Sequence, residues 1–178
     1  MNSSEKPIDE KHAVAITSNK YKIFVIFKQI VGVWLYEKSR DGKNEWSLSI
    51  TIGAHFSSKN LRATLAMNDK YLAGSSNTVY RVFLREADKT SWKYYGHASS
   101  EDVEDYARPT VCSIDNEGNV LVSYKEQNLL RLMSPTGAFT TLKLTPPCSH
   151  PVSACVIGKS IYVLQHNSEK SVTVAKYS

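Results

Sequence analysis

The chain has 178 residues, 42% of them hydrophobic and 22% charged, which is the balance of a globular protein with a real core and excludes a disordered one. The formal net charge is +5, with a sequence pI of about 9.0. All of that excess lies in residues 1–90, where Lys11, Lys20, Lys22 and Lys28 fall in a stretch without acids. Such a basic half permits contact with nucleic acid or an acidic protein, and a solvated face is its more common explanation.

The segment 1–10 is polar and makes a poor strand, so the expected organisation is a short N-terminal segment followed by one domain over 11–178. No apolar run follows Met1, and no signal peptide is expected. The most apolar stretch, Ile23 to Tyr36, is interrupted by Lys28 and Gln29 and is too short to span a bilayer. The expected location is therefore cytoplasmic or nuclear, with no membrane partner.

From residue 13 onward, strand-like runs come in sets of four. Ala13–Thr17, Ile23–Phe27, Val33–Tyr36 and Trp46–Ile50 form the first set. Ala63–Met67, Tyr71–Ala73, Val79–Leu84 and Trp92–Tyr95 form the second. Thr110–Ile114, Val120–Val122, Leu129–Met133 and Phe139–Leu142 form the third. Val152–Ile157, Ile161–Leu164 and Val172–Ala175 make an incomplete fourth. β-Branched and aromatic residues dominate these runs, and none carries a helical stripe. Trp46 and Trp92 stand 46 residues apart, and Phe139 follows after another 47, so the sets repeat with a period in the forties.

The punctuation agrees. Asn68-Asp69-Lys70 and Asp115-Asn116-Glu117-Gly118-Asn119 join first to second strands. Asp41-Gly42 and Ser134-Pro135-Thr136-Gly137 join third to fourth. These are hairpin-turn residues that tolerate or supply positive φ. Short hairpins in series make meanders, and meanders repeated at this period make propeller blades. The predicted fold is all-β: about four antiparallel four-stranded blades, the last one incomplete.

The third set, from Arg108-Pro109-Thr110 through Asp115-Asn116-Glu117-Gly118-Asn119-Val120-Leu121-Val122 to Asn128-Leu129-Leu130-Arg131-Leu132 and Ser134-Pro135-Thr136-Gly137-Ala138-Phe139, resembles one blade of an NHL-type propeller. Tyr71-Leu72-Ala73-Gly74 with Val79-Tyr80-Arg81-Val82-Phe83 and Trp92 is similar to an FG-GAP repeat, without the acidic calcium loop of the integrin type. The two resemblances together imply the β-propeller superfamily, whose members include enzymes, lectins, scaffolds and RNA binders, so the fold alone does not choose a function. Four blades close a small ring, with residues 1–10 as a clasp strand, or leave an open half that pairs with a second copy as a homodimer; a degenerate remnant and a fragment of a larger propeller are the other readings.

Up-and-down topology puts the linkers between blades and the second-to-third-strand loops on one face. His55, His97 and His150 fall in linkers, His166 in a second-to-third loop and His12 at a first-strand start. Arg62, Arg108, Lys125, Asn77 and Asn128 join them. The candidate partner-binding set is Arg62, Asn77, His97, Arg108, Lys125, Asn128, His150 and His166. Loops held on a rigid β scaffold commonly carry binding residues.

Catalytic readings find little support in the sequence. It contains no nucleophile elbow and no phosphate-binding glycine loop. The acidic run Ser99-Ser100-Glu101-Asp102-Val103-Glu104-Asp105 reads as a solvated linker, and Glu104, Asp105 and Glu126 match no repeated position. The odd cysteine count, Cys112, Cys148 and Cys155, argues against a disulfide scaffold, and Cys148-Ser149-His150 lacks a second Cys/His pair to complete a zinc site. No catalytic residue, cofactor or metal is expected. The expected role is a non-enzymatic interaction module for a protein partner. RNA bound through basic and aromatic loop residues is the first alternative. Glycan binding by outer-strand aromatics such as Trp92, Tyr94 and Tyr95 is the second.

Overall fold

The structure is a computed structural model and describes residues 13–27, 33–39, 45–52, 63–76, 81–86, 89, 91–95, 108–168 and 171–177. Its strands form four antiparallel meanders, each in chain order. Blade 1 is β1 (Ala13–Ser18), β2 (Lys22–Phe27), β3 (Val33–Lys38) and β4 (Trp46–Ile52). Blade 2 is β5 (Ala63–Met67), β6 (Tyr71–Ser76), β7 (Val82–Glu86) and β8 (Lys93–Tyr95). Blade 3 is β9 (Pro109–Ile114), β10 (Val120–Tyr124), β11 (Leu129–Met133) and β12 (Phe139–Thr141). Blade 4 has three strands, β13 (Pro151–Ile157), β14 (Ser160–Ser168) and β15 (Ser171–Tyr177). The innermost strands adjoin in sequence, β1 against β5, β5 against β9 and β9 against β13.

Side chains alternate across a strand, so each sheet offers one face to the blade before it and one to the blade after. Phe24, Ile26 and Leu35 of blade 1 meet Leu72 and Phe83 of blade 2. The opposite parity of blade 2, Ala66, Ala73, Val82 and Leu84, meets Val111, Val120, Val122 and Met133 of blade 3. Leu121 and Leu130 then face Ala154, Val163 and Tyr177 of blade 4. Central strand β10 is buried at all five positions because it is covered on both sides. Runs such as Val120-Leu121-Val122 lack polar alternation for this reason.

Polar contacts fix the stacking. The turns β1–β2, β5–β6 and β9–β10 repeat one device. Asn19 Oδ1 accepts the N–H groups of Tyr21 and Lys22. Asn68 Oδ1 accepts those of Lys70 and Tyr71, and Asp115 Oδ1 those of Glu117 and Asn119. A short side-chain acceptor reproduces a backbone turn at each site. The same residues tie one blade to the next: Asn19 Nδ2 donates to Asp69 Oδ1 at 3.0 Å, and Asn68 Nδ2 donates to the Asp115 carbonyl. Further in, Ser75 Oγ of blade 2 accepts the Val111 N–H of blade 3 at 3.0 Å.

Two glycines of blade 3 lie beneath tyrosine rings of blade 2. Gly118 (φ +90) adjoins Tyr71, and Gly137 (φ +92) adjoins Tyr95, so any side chain at either position would collide with the ring as well as strain the turn. Arg85 is buried over the faces of Phe24 and Trp92, at 5.7 and 5.3 Å from their centroids. Trp92 meets Phe83 edge-on at 5.0 Å. This packing commits Trp92 and Tyr95 to contacts within and between blades and leaves Tyr94 as the exposed member of that outer-strand trio.

The fifteen predicted strands all form, with shifts at their ends. β7 begins at Val82 where the run was expected from Val79, and residues 77–80 lie outside those described. β14 continues to Ser168, beyond the expected end at Leu164. His166 is consequently a strand residue opposite Val172 and not a loop residue. Its polar neighbourhood reads as a loop, but pairing with β15 and with the linker main chain keeps the ladder going.

Gly74 of β6 sits directly against a neighbouring side chain. A Cβ there would strike the Phe83 ring and approach the Thr64 carbonyl to 2.7 Å. Gly74→Ala is expected to cost about 1–3 kcal/mol by overpacking, measured as a lowered denaturant midpoint at unchanged slope. Leu121→Asp, at a position 1% exposed, is expected to cost about 4 kcal/mol or more by burying an unpaired carboxylate, read as loss of the cooperative melt.

Candidate loop-face site at the junction of blades 3 and 4

The β10–β11 connection begins with a single 3-10 turn, Lys125–Gln127, and ends at Asn128 in the left-handed conformation (φ 55, ψ 37). Asparagine accepts this conformation more readily than most residues. Its side chain and carbonyl both hold the linker that follows blade 3. Asn128 Oδ1 accepts the His150 N–H at 2.6 Å, and the Asn128 carbonyl accepts the Cys148 thiol at 3.3 Å. Burial pushes the Cys148 thiol above its ordinary value, so at neutral pH it stays protonated and serves as a donor.

The linker is pinned from its other side as well. The Gln165 side-chain oxygen accepts the Ser149 N–H at 3.0 Å. The His150 carbonyl accepts the His166 N–H at 3.3 Å. His150 itself has φ 42. Its imidazole is exposed, with Nδ1 3.2 Å from Ser149 Oγ. A strained backbone braced at this many points presents its side chain in a fixed direction.

Two further cations share this end of blade 3. Pro109 pairs with Tyr124 at the start of β9, so exposed Arg108 lies beside exposed Lys125, with Glu126 as the neighbouring acid. The structure thus brings Arg108, Lys125, Asn128, His150 and His166 to one end of two adjoining blades. Arg62, Asn77 and His97 of the predicted set, with His12 and His55, lie outside the described residues. Among the described residues no group of three His, Cys, Asp or Glu side chains is arranged to hold a metal ion.

Sequence reasoning missed Ser149 and Gln165, which brace the linker. Nothing in their local pattern marks them, because their partners are sixteen residues apart. It also missed a second concavity, an open cleft of about 300 Å³ lined by Leu142, Leu144, Ile161 and Tyr177 with Lys143 and Lys159 at its edge. That volume is at the small end of ligand sites. Burial pushes the Tyr177 hydroxyl above its ordinary value.

Neither a family model nor a curated protein matches this chain. Solved structures do. A streptogramin B lyase structure aligns with TM-score 0.64 and 11% identity over 97% of this chain and 56% of that chain. Virginiamycin B lyase from Staphylococcus aureus gives 0.58 and 12%, over 93% and 55%. A 6-phosphogluconolactonase-like protein from Bacteroides uniformis gives 0.60 and 13%, over 98% and 53%. The likeness is one of fold, a β-propeller architecture, and this chain spans about half the length of those proteins.

The bracing at Asn128 predicts a specific mutational order. Asn128→Ala removes the acceptor and places an alanine at φ 55, which is expected to cost about 1–2 kcal/mol. Asn128→Gly keeps the conformation, loses only the hydrogen bond and should fall between alanine and wild type. Hydrogen exchange at the His150 amide is the check, with faster exchange expected in both variants.

Proposed function

We propose that this chain is a non-enzymatic recognition module and that the loop face joining blades 3 and 4 docks an acidic segment of a protein partner. One observation carries the reading: His150 and Asn128 hold each other in left-handed conformations at 2.6 Å while the imidazole and Lys125 point to solvent. Pre-ordered side chains bind with less entropic loss than mobile ones. Among the described residues at this end the cations Arg108 and Lys125 stand beside one acid, Glu126, which favours a negatively charged partner and steers its approach. The names of the similar solved structures describe lyases and a lactonase-like protein. At 11–13% identity they support the fold and assign no chemistry to these residues.

The test is a triple variant, Arg108→Ala, Lys125→Ala and His150→Asn, the last chosen because asparagine tolerates positive φ. Its melting behaviour should stay close to wild type, since exposed substitutions cost roughly 0.5 kcal/mol or less. Affinity capture from cell lysate, with and without RNase, is compared between the two proteins by mass spectrometry. A defined protein that survives RNase and is lost with the variant is the expected result. A catch unchanged by the variant clears this face, and one that collapses with RNase moves the reading to RNA, whose binding also weakens steeply with salt.

A further inference from the structure

Among the described residues, positive φ occurs at Gly118, Gly137 and Gly158 and at two residues that carry side chains, Asn128 and His150. Glycine takes this conformation at least cost. Asn128 uses its side chain to accept the His150 N–H. The His150 imidazole stands exposed, and its partner among the described residues is the Ser149 hydroxyl, with Nδ1 3.2 Å from Oγ. A large side chain kept where glycine would fit more easily argues that the side chain is used.

The Ser149 contact decides where the ring proton sits. A neutral imidazole has one N–H and one bare nitrogen, and the hydrogen bond made at one nitrogen fixes the role of the other. Ser149 is half-buried, and its main-chain N–H is already given to Gln165 Oε1 at 3.0 Å, which holds the residue in place. Donation from Oγ to Nδ1 gives the hydroxyl proton a protein acceptor. The reverse direction would leave that proton with none among the described residues. Nδ1 is thereby the acceptor, and the ring proton sits on Nε2.

The other groups around this ring are mostly donors. Lys125 comes from the β10–β11 connection and Arg108 from the residue before β9, with Glu126 as the acid beside them. Cys148 gives its thiol proton to the Asn128 carbonyl. His166 of β14 bonds the His150 carbonyl through its main chain.

We infer that Ser149 is a positioning residue for recognition: it holds His150 with Nε2–H turned outward, and the loop face anchors its partner through a carboxylate that accepts this proton. The inference rests on the loop face being the docking surface proposed above. Nε2 is a donor in the neutral ring as in the protonated one, so the anchor does not require a charged histidine.

The test is a long-range 1H–15N spectrum of the full chain labelled with 15N-histidine, recorded at about pH 9, above the ordinary histidine range. His150→Asn identifies the His150 signals by their loss. Wild type should show the Nε2–H form alone. Ser149→Ala keeps the main-chain bond to Gln165 and should show a mixture of both tautomers. Ser149→Thr restores the hydroxyl and should restore the single form. An oligoglutamate peptide should then move the wild-type Nε2 signal, and half-saturation should need several-fold more peptide in Ser149→Ala. An Nδ1–H or mixed form in wild type overturns the inference, as does a Ser149→Ala spectrum identical to wild type. A single Nε2–H form that no amount of peptide moves removes the carboxylate anchor and the acidic-partner reading together, while the tautomer result decides the role of Ser149 separately.

Discussion

A β-sheet that is apolar on both faces cannot stand alone in water, and everything in this molecule follows from that constraint. Each of these central strands carries buried apolar side chains on both parities: Phe24 with Val25, Leu72 with Ala73, Leu121 with Val122. A lone blade would leave one set in water, at roughly 25 cal/mol for every Å² of apolar surface. Stacking blades in series buries both sets, and the right-handed twist of each sheet turns the series into an arc. The constraint also explains why damage to one blade should spread, since Leu121 belongs to the surface that blade 4 rests on.

The two edges of the blades do different work. One edge is a row of side-chain-capped turns, Asn19, Asn68 and Asp115, each holding its own hairpin, with Asn19 and Asn68 reaching across to the next blade. Blade 4 departs from the row, with a Gly158-Lys159 turn at the same place. The other edge carries the Asn128–His150 lock, where the backbone is held in uncommon conformations and the side chains Lys125 and His150 remain exposed. The first edge sets spacing between blades, and the second fixes the linker that joins blade 3 to blade 4. Both rest on the same rigid sheets, which explains why a loop site can be well ordered here.

Strand number, strand order and the turns at Asn68, Asp115 and Ser134 were legible in the sequence because each depends on residues close together in the chain. Apolar runs, turn residues and a period in the forties specify hairpins without reference to anything distant. Asn19 escaped notice because its partner Asp69 is fifty residues away. The sequence also placed Arg108, Lys125, Asn128 and His150 at one end of the blades, since up-and-down topology alone sorts loops onto faces. It misplaced His166, whose polar surroundings resemble a loop while its hydrogen bonds extend β14. Only the tertiary structure decided that Asn128 would clamp His150, that Ser149 and Gln165 would brace the clamp, and that Trp92 would meet Phe83 edge-on beneath Arg85. Those outcomes depend on how blades stack, and stacking is a relation between surfaces that no local pattern of residues encodes.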